Sequence, residues 1–225
     1  MEQHADIGTS LAHALAAHRA RLAACAACEL GAGVRPIVSE ARDARVMLVG
    51  QAPGRVEAGG GRAFAGRSGA TLFGWLAQAG LDEAVFREHV YIAAVTRCFP
   101  GPHPSGRGDR VPSPAERARC RRWLDDELRI IRPELLVLVG RLAIDSLLGN
   151  APLDRVIGAL HELEHAGGRS AAIALPHPSG ASSWVHQPGN RERLHRSLEL
   201  LGDHPAIQAL ARGTPARARS QRGAA

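Results

Sequence analysis

Four cysteines, Cys25, Cys28, Cys98 and Cys120, are the only thiols in this 225-residue chain. A close Cys-x-x-Cys pair plus two distant sulfurs can complete a tetrahedral four-thiolate site, which suits an iron–sulfur cluster or zinc. Three other readings compete with a metal. Two disulfides would need export, and no apolar N-terminal stretch reads as a signal peptide: Leu11 to Ala27 is interrupted by His13, His18, Arg19 and Arg21. A cytoplasmic, reducing location is therefore expected. A thioredoxin-like pair would follow a strand, whereas Cys25 and Cys28 end an alanine-rich helical stretch. Four unreactive, buried thiols are the third reading.

Two further segments carry chemistry. Gly50-Gln51-Ala52-Pro53-Gly54 runs on to Gly59-Gly60-Gly61-Arg62-Ala63-Phe64-Ala65-Gly66-Arg67-Ser68-Gly69. Such glycines let backbone approach a ligand and leave N–H groups for oxyanions or carbonyls. Phe64, an aromatic in that stretch, offers a face on which a base can stack. Pro176-His177-Pro178-Ser179 holds an imidazole rigidly between two prolines. The 28 basic residues are all arginine, and no lysine occurs anywhere. Lysine Schiff-base chemistry and a Walker-A phosphate loop are thereby excluded. The net charge of +6 favours a polyanionic partner. No run approaches the ~20 apolar residues of a membrane span.

The elements that must position these segments follow from periodicity. Val46–Val49, Val90–Val95, Leu135–Val139 and Ala171–Leu175 are short aliphatic runs bounded by turn residues, and they read as buried strands. Between them lie helical patterns starting near Ser68, at Ser113 and after Gly140. Ser113-Pro114-Ala115-Glu116 is a capping box with proline at the first helical position. One helix is expected in the first 30 residues and another over Asn190–Leu201. Strands alternating with helices imply an α/β fold with a parallel sheet covered on both faces. Residues 1–212 read as a single domain, and 213–225, mostly small residues and arginine, as a disordered basic tail. No internal repeat is evident. In such a sheet ligands bind beyond the carboxyl ends of the strands, after Val49, Val95 and Leu175.

Together, the Gly50–Gly54 and Gly61–Gly69 segments, Tyr91-Ile92-Ala93-Ala94-Val95-Thr96-Arg97-Cys98, His177-Pro178-Ser179 and the four cysteines resemble the uracil-DNA glycosylase superfamily, in particular its iron–sulfur branches, families 4 and 5. The resemblance implies a three-layer α/β/α sandwich around a four-stranded parallel sheet. It implies a monofunctional enzyme, acting as a monomer, that hydrolyses the N-glycosidic bond of uracil or a related deaminated base flipped out of DNA. Phe64 matches the stacking aromatic. His177 matches the histidine beside uracil O2, where charge develops. Gly50, Gln51, Ala52 and Ala94 match pocket positions. Ser179 matches a phosphate-facing serine, with Arg67, Arg107 and Arg110 as further DNA contacts and Trp184 as an apolar wedge. Cys25, Cys28, Cys98 and Cys120 match the ligands of a structural [4Fe–4S] cluster.

The chain departs from the family pattern where catalysis is concerned. Gln51 stands where family 4 has glutamate, Ala52 where the uracil enzymes place a catalytic aspartate, and Arg67 where family 5 has an aspartate. Glu57 is the nearest loop carboxylate and a substitute for them. Ala94 replaces a base-reading asparagine, which implies looser base selectivity than in family 4. Phe99–Pro112, rich in Gly, Pro and Arg, lengthens the interval between Cys98 and Cys120 and reads as a DNA-facing loop. With the motif carboxylates absent, a catalytically silent DNA-binding cluster protein is the alternative, and a zinc-stapled small-molecule enzyme a third reading.

Overall fold

The aliphatic runs pair into one sheet. β1 (Val46–Gly50), β2 (Val90–Ala94), β3 (Leu135–Val139), β4 (Leu160–His165) and β5 (Gly168–Leu175) lie in the order β2-β1-β3-β5-β4. The computed structural model describes residues 2–31, 33–39, 41, 44–106, 108–179 and 183–213. The tail expected to be disordered falls almost wholly outside them. Four strands are parallel, in the register Val46↔Val90, Val46↔Leu135 and Leu135↔Ala171. The fifth corrects the expected count of four: β4 pairs antiparallel with β5 at the sheet edge. Its sequence, Leu160-His161-Glu162-Leu163-Glu164-His165, is polar, and of its side chains only Leu163 is buried. Charged side chains are what an edge strand carries to discourage further pairing, and they hide the strand from a hydrophobicity reading.

The parallel strands are buried on both faces, so alternate residues feed two cores. Met47, Val49, Tyr91, Leu136 and Leu138 face α1 (Glu2–Ala23), α5 (Pro114–Ile131) and α6 (Arg141–Leu148) through Leu15, Leu124, Leu128 and Ile144. Val46, Leu48, Ile92, Val137 and Ile173 face α3 (Arg67–Gln78), α4 (Glu83–His89), α8 (Asn190–Asp203) and α9 (Pro205–Gly213) through Leu72, Leu76, Phe86, Leu198 and Ile207. The result is a three-layer α/β/α sandwich. Short helices α2 (Arg55–Gly60) and α7 (Leu153–Val156) fill connections. Among the described residues no helix is long and apolar enough to cross a membrane.

One buried carboxylate ties the first layer to the sheet. Glu127 of α5 is fully buried and accepts from Tyr91 Oη of β2 at 2.8 Å. It also meets His18 Nε2 of α1 at 3.2 Å and the guanidinium of Arg97. Burial first, then Arg97, holds the His18 imidazole down at about 4. His18 is thus neutral in the fold, while an unfolded chain takes up its proton near ~6.5. Its contribution to stability is complete above that value and is lost as pH falls toward the folded value. The free energy of urea unfolding should therefore decline between about pH 7 and 5, by up to ~1.4 kcal/mol per pH unit for this group. His18→Gln, which cannot titrate, should flatten that decline. An unchanged slope would remove His18 from the linkage.

Candidate functional site

The strand order reverses around β1 and β3, the first leading to β2 and the second to β5. At that switch point the carboxyl ends open into a cleft of ≈ 610 Å³. Gly50, Gln51 and Ala52 lie at the end of β1, Ala94 at the end of β2, and Phe64, Arg67, His177 and Ser179 complete the lining. With Arg110, which also reaches its wall, the structure gathers nine of the site residues expected from sequence into one cavity.

Phe64 is held by unusual backbone geometry. Its φ is 52°, left-handed for a bulky side chain, a conformation that persists only when the surroundings fix it. Arg87 of α4 does so, donating from Nη1 to Ala63 O at 2.8 Å and from Nη2 to Phe64 O at 3.0 Å. Glu83 grips Arg87 Nε at 2.7 Å, and the guanidinium lies 4.4 Å from the Phe73 ring centre. Two glycines make room. A Cβ on Gly50 would fall 3.0 Å from Phe64 Cζ, and one on Gly69 only 1.9 Å from Phe64 O.

His177 lies two residues beyond β5 and is oriented by its own turn. The Ser179 N–H donates to Nδ1 at 3.2 Å, and Ser179 Oγ lies 2.9 Å from the same nitrogen. A backbone N–H can only donate, so Nδ1 is an acceptor and the proton of the neutral ring sits on Nε2. Burial lowers the pKa of His177, which favours that neutral form. The ring packs over Gly140 at the end of β3, where a Cβ would lie 2.8 Å from His177 Cδ2. A short repeat overlooked in the sequence bears on this geometry. Pro102-His103-Pro104-Ser105-Gly106 duplicates Pro176-His177-Pro178-Ser179-Gly180. It makes the same turn, with Ser105 N–H to His103 Nδ1 at 3.2 Å and Ser105 Oγ at 2.7 Å.

Other expected residues stand differently. Arg110 reaches the cleft wall, but both its terminal nitrogens bind Glu116, at 2.8 and 2.5 Å. That fork holds the Glu116 carboxyl down at about 2. Arg110 is therefore spoken for, not held ready for phosphate. Glu57 lines the cleft, yet each oxygen accepts a backbone N–H at 3.0 Å, from Gly54 and from Gly66. It straps the two glycine-rich segments together, and its lone pairs are turned to that task. Trp184 is not brought to the cleft: it packs against the first core and its carbonyl accepts from Asn190 Nδ2 at 2.9 Å. Arg107 lies outside the described residues.

The four cysteines converge. Cys25, Cys28, Cys98 and Cys120 line one cavity of ≈ 240 Å³ between the end of α1, the segment after β2 and α5. Burial pushes the Cys98 thiol up to about 12, and Cys120, Cys25 and Cys28 push it the same way. Cys25 feels burial too, but hydrogen bonds from the Ala27 backbone, Trp123 and Arg122 outweigh it and lower its pKa. Arg97 walls this cavity and the cleft alike, and its Nε is buried without a partner among the described residues. Among those residues no three His, Cys, Asp or Glu side chains close on a point as ligands of one ion do. A polynuclear cluster keeps its thiolates farther apart than a single zinc at ~2.3 Å from each sulfur does. Four soft donors, N–H groups aimed at sulfur and an orphaned arginine nitrogen together fit a cluster.

Arg87, Arg97 and Asp109, the last also on the cleft wall, were not legible as site residues. Arg97 was flagged only by adjoining Cys98, and Arg87 sits in an ordinary helical charge pattern. The Phe64 geometry generates an internally controlled test on α3. A Cβ at Gly74 meets nothing within 4 Å, so Gly74→Ala should stabilise by about 0.5–1 kcal/mol. Gly69→Ala, driven into Phe64 O, should destabilise by roughly 2 kcal/mol or more. Equal effects in thermal unfolding would contradict the packing described.

Comparison with known proteins agrees with this geometry. A model of the uracil DNA glycosylase superfamily matches residues 37–202. Over 165 residues, 71% of this chain and 76% of the relative, the chain is 33% identical to a Type-4 uracil-DNA glycosylase of Archaeoglobus fulgidus. A Type-4 uracil-DNA glycosylase of Thermotoga maritima is 31% identical over 161 residues, 71% of this chain and 78% of that protein. A Type-5 uracil-DNA glycosylase of Pyrobaculum aerophilum is 37% identical over 114 residues, 45% of this chain and 46% of the relative. The cleft at the strand ends, the turn that presents His177 and these likenesses lead to one conclusion: the chain belongs to the uracil-DNA glycosylase superfamily.

Proposed function

We propose that the chain is a monofunctional uracil-DNA glycosylase, active as a cytoplasmic monomer on DNA that carries uracil or a related deaminated base. The observation that carries the reading is the neutral His177 ring, whose Nδ1 is occupied by the Ser179 N–H and whose proton therefore sits on Nε2. A flipped base enters the cleft and stacks on Phe64. As the C1′–N1 bond breaks, the electron pair leaves with the base and negative charge gathers on its O2. His177 Nε2–H donates to that oxygen, with backbone N–H groups of the Gly50–Gly54 loop as further donors. One such preorganised donor is worth several kcal/mol of barrier. Gln51 orients water through its amide but has no basicity. Ala94 leaves the pyrimidine edge without a side-chain reader, which widens the set of bases accepted. Arg67 at the rim serves the phosphate backbone, as does the net positive charge.

Cys25, Cys28, Cys98 and Cys120 would hold a [4Fe–4S] cluster, which when bound supplies a cross-link among three segments of chain. In that reading the purified protein is brown and absorbs near ~400 nm, whereas a zinc protein is colourless. Cys98→Ser should lose iron and acid-labile sulfide together; unchanged content would strike Cys98 from the ligands.

The decisive assay incubates the protein with uracil-containing oligonucleotide, then alkali, and looks for strand breaks. His177→Ala should slow single-turnover excision by about 10²–10³-fold. Its DNA affinity should change little, because the donor acts mainly in the transition state. DNA retention without excision of uracil, hypoxanthine or xanthine would favour the silent binding protein, the reading to which the carboxylate-free Gly50–Gly54 loop lends weight.

A further inference from the structure

The strand-end loop offers no carboxylate, yet among the described residues two line the cleft. Glu57 has both oxygens on backbone N–H groups. The other is Asp109, delivered by the segment that lengthens the interval between Cys98 and Cys120. Its described residues pair as a hairpin. Pro102 and Asp109 form an antiparallel bridge. His103 N–H donates to Gly108 O, and Arg110 N–H to Gly101 O, each at 3.0 Å. The Arg110–Glu116 fork bolts the base of the hairpin to the first turn of α5. Asp109 is thereby turned toward the loop after β1. Its Oδ2 would lie 2.9 Å from a Cβ on Gly54 and accepts from the Arg55 N–H at 3.4 Å. Any side chain at position 54 would displace it. Among the described residues that long contact is the one hydrogen bond to the Asp109 carboxylate, whereas each Glu57 oxygen holds a backbone N–H at 3.0 Å.

We propose that Asp109 is the carboxylate that orients and deprotonates the attacking water, in the place left empty by Gln51, Ala52 and Arg67. The inference rests on the glycosylase reading above and adds to it the group that activates water. A bond forms between the water oxygen and C1′ as the C1′–N1 pair departs with the base. One water proton passes to the Asp109 carboxylate and then to solvent, and the base anion stays on the His177 donor. The same negative charge faces the cationic sugar, which an amide at position 51 cannot do. One loop thus supplies the charge that another loop lacks.

The test uses the full-length protein with its cluster. Single-turnover excision from a uracil oligonucleotide is measured at neutral pH for wild type, Asp109→Asn and Asp109→Glu, alongside DNA affinity and thermal stability. Asparagine keeps the shape and can still accept the Arg55 N–H, but it cannot take a proton. Asp109→Asn should lose about 10²-fold or more in rate at neutral pH while holding its DNA affinity and thermal stability. Asp109→Glu should regain part of the rate. An Asp109→Asn rate within about threefold of wild type overturns the proposal and leaves the glycosylase reading intact. A rate loss matched by losses in affinity or stability, or one that Asp109→Glu does not relieve, assigns Asp109 to holding the loop and also overturns it. A wild type that excises no uracil or deaminated base overturns the glycosylase reading itself, and the proposal with it.

Discussion

The buried pairing of Glu127 with Arg97 is the constraint on which the rest of the molecule hangs. Two charges removed from water are tolerable only when each is well partnered, and Glu127 gathers His18, Tyr91 and Arg97 around one carboxylate. Those three groups arrive from α1, from β2 and from the segment that follows it. Fixing them fixes the backbone that carries Cys98, and with it the wall between the thiol cavity and the cleft. Arg97 belongs to both cavities. Loss of either charge would leave the other buried without its counter-charge, at a cost of about 3–5 kcal/mol. It would also release the wall. Sulfur ligands and base cleft are thus two faces of one packed arginine.

Against that rigid floor the cleft works with few polar groups, each set by local sequence. The same Pro-His-Pro-Ser sequence folds into the same histidine–serine turn at 102–105 and 176–179, so the orientation of His177 is written within four residues rather than imposed from afar. What distinguishes the second copy is its place: at the end of β5, over Gly140, with burial holding the ring neutral. Phe64 is the opposite case. Its left-handed backbone has no local cause, and only Arg87 from another helix, with the missing Cβ atoms of Gly50 and Gly69, makes it stable. A proline-rigidified donor and an aromatic fixed by distant partners face one cavity.

This contrast explains what could be read in advance. β1 and β3 lie where their aliphatic runs place them, because central parallel strands are apolar on both faces. The Ser113 capping box forms as expected, with Ser113 and Glu116 exchanging hydrogen bonds. The glycine-rich and histidine segments meet because strand ends gather on one side of the sheet. Polar β4 was illegible, since edge strands are marked by pairing rather than hydrophobicity. The fates of Arg110 and Glu57 were hidden for a different reason. A charged side chain looks available in a sequence until its partner is known, and Glu116 and the Gly54 and Gly66 amides are found only in three dimensions. Trp184, expected as an apolar wedge, lies partly buried against the first core, a placement its sequence does not reveal. The Asp109 carboxylate belongs to the same class of the invisible, because a hairpin brings it back over Gly54.

The central claim is that a neutral imidazole, protonated on Nε2, faces the departing base. Nitrogen-15 NMR of the His177 ring, recorded across pH with a non-cleavable uracil analogue in DNA, tests it most directly. The account predicts an Nε2–H tautomer that persists below the ordinary histidine range near ~6.5, with its proton shifted by a hydrogen bond when the analogue binds. An Nδ1–H tautomer, or an imidazolium at neutral pH, would contradict it.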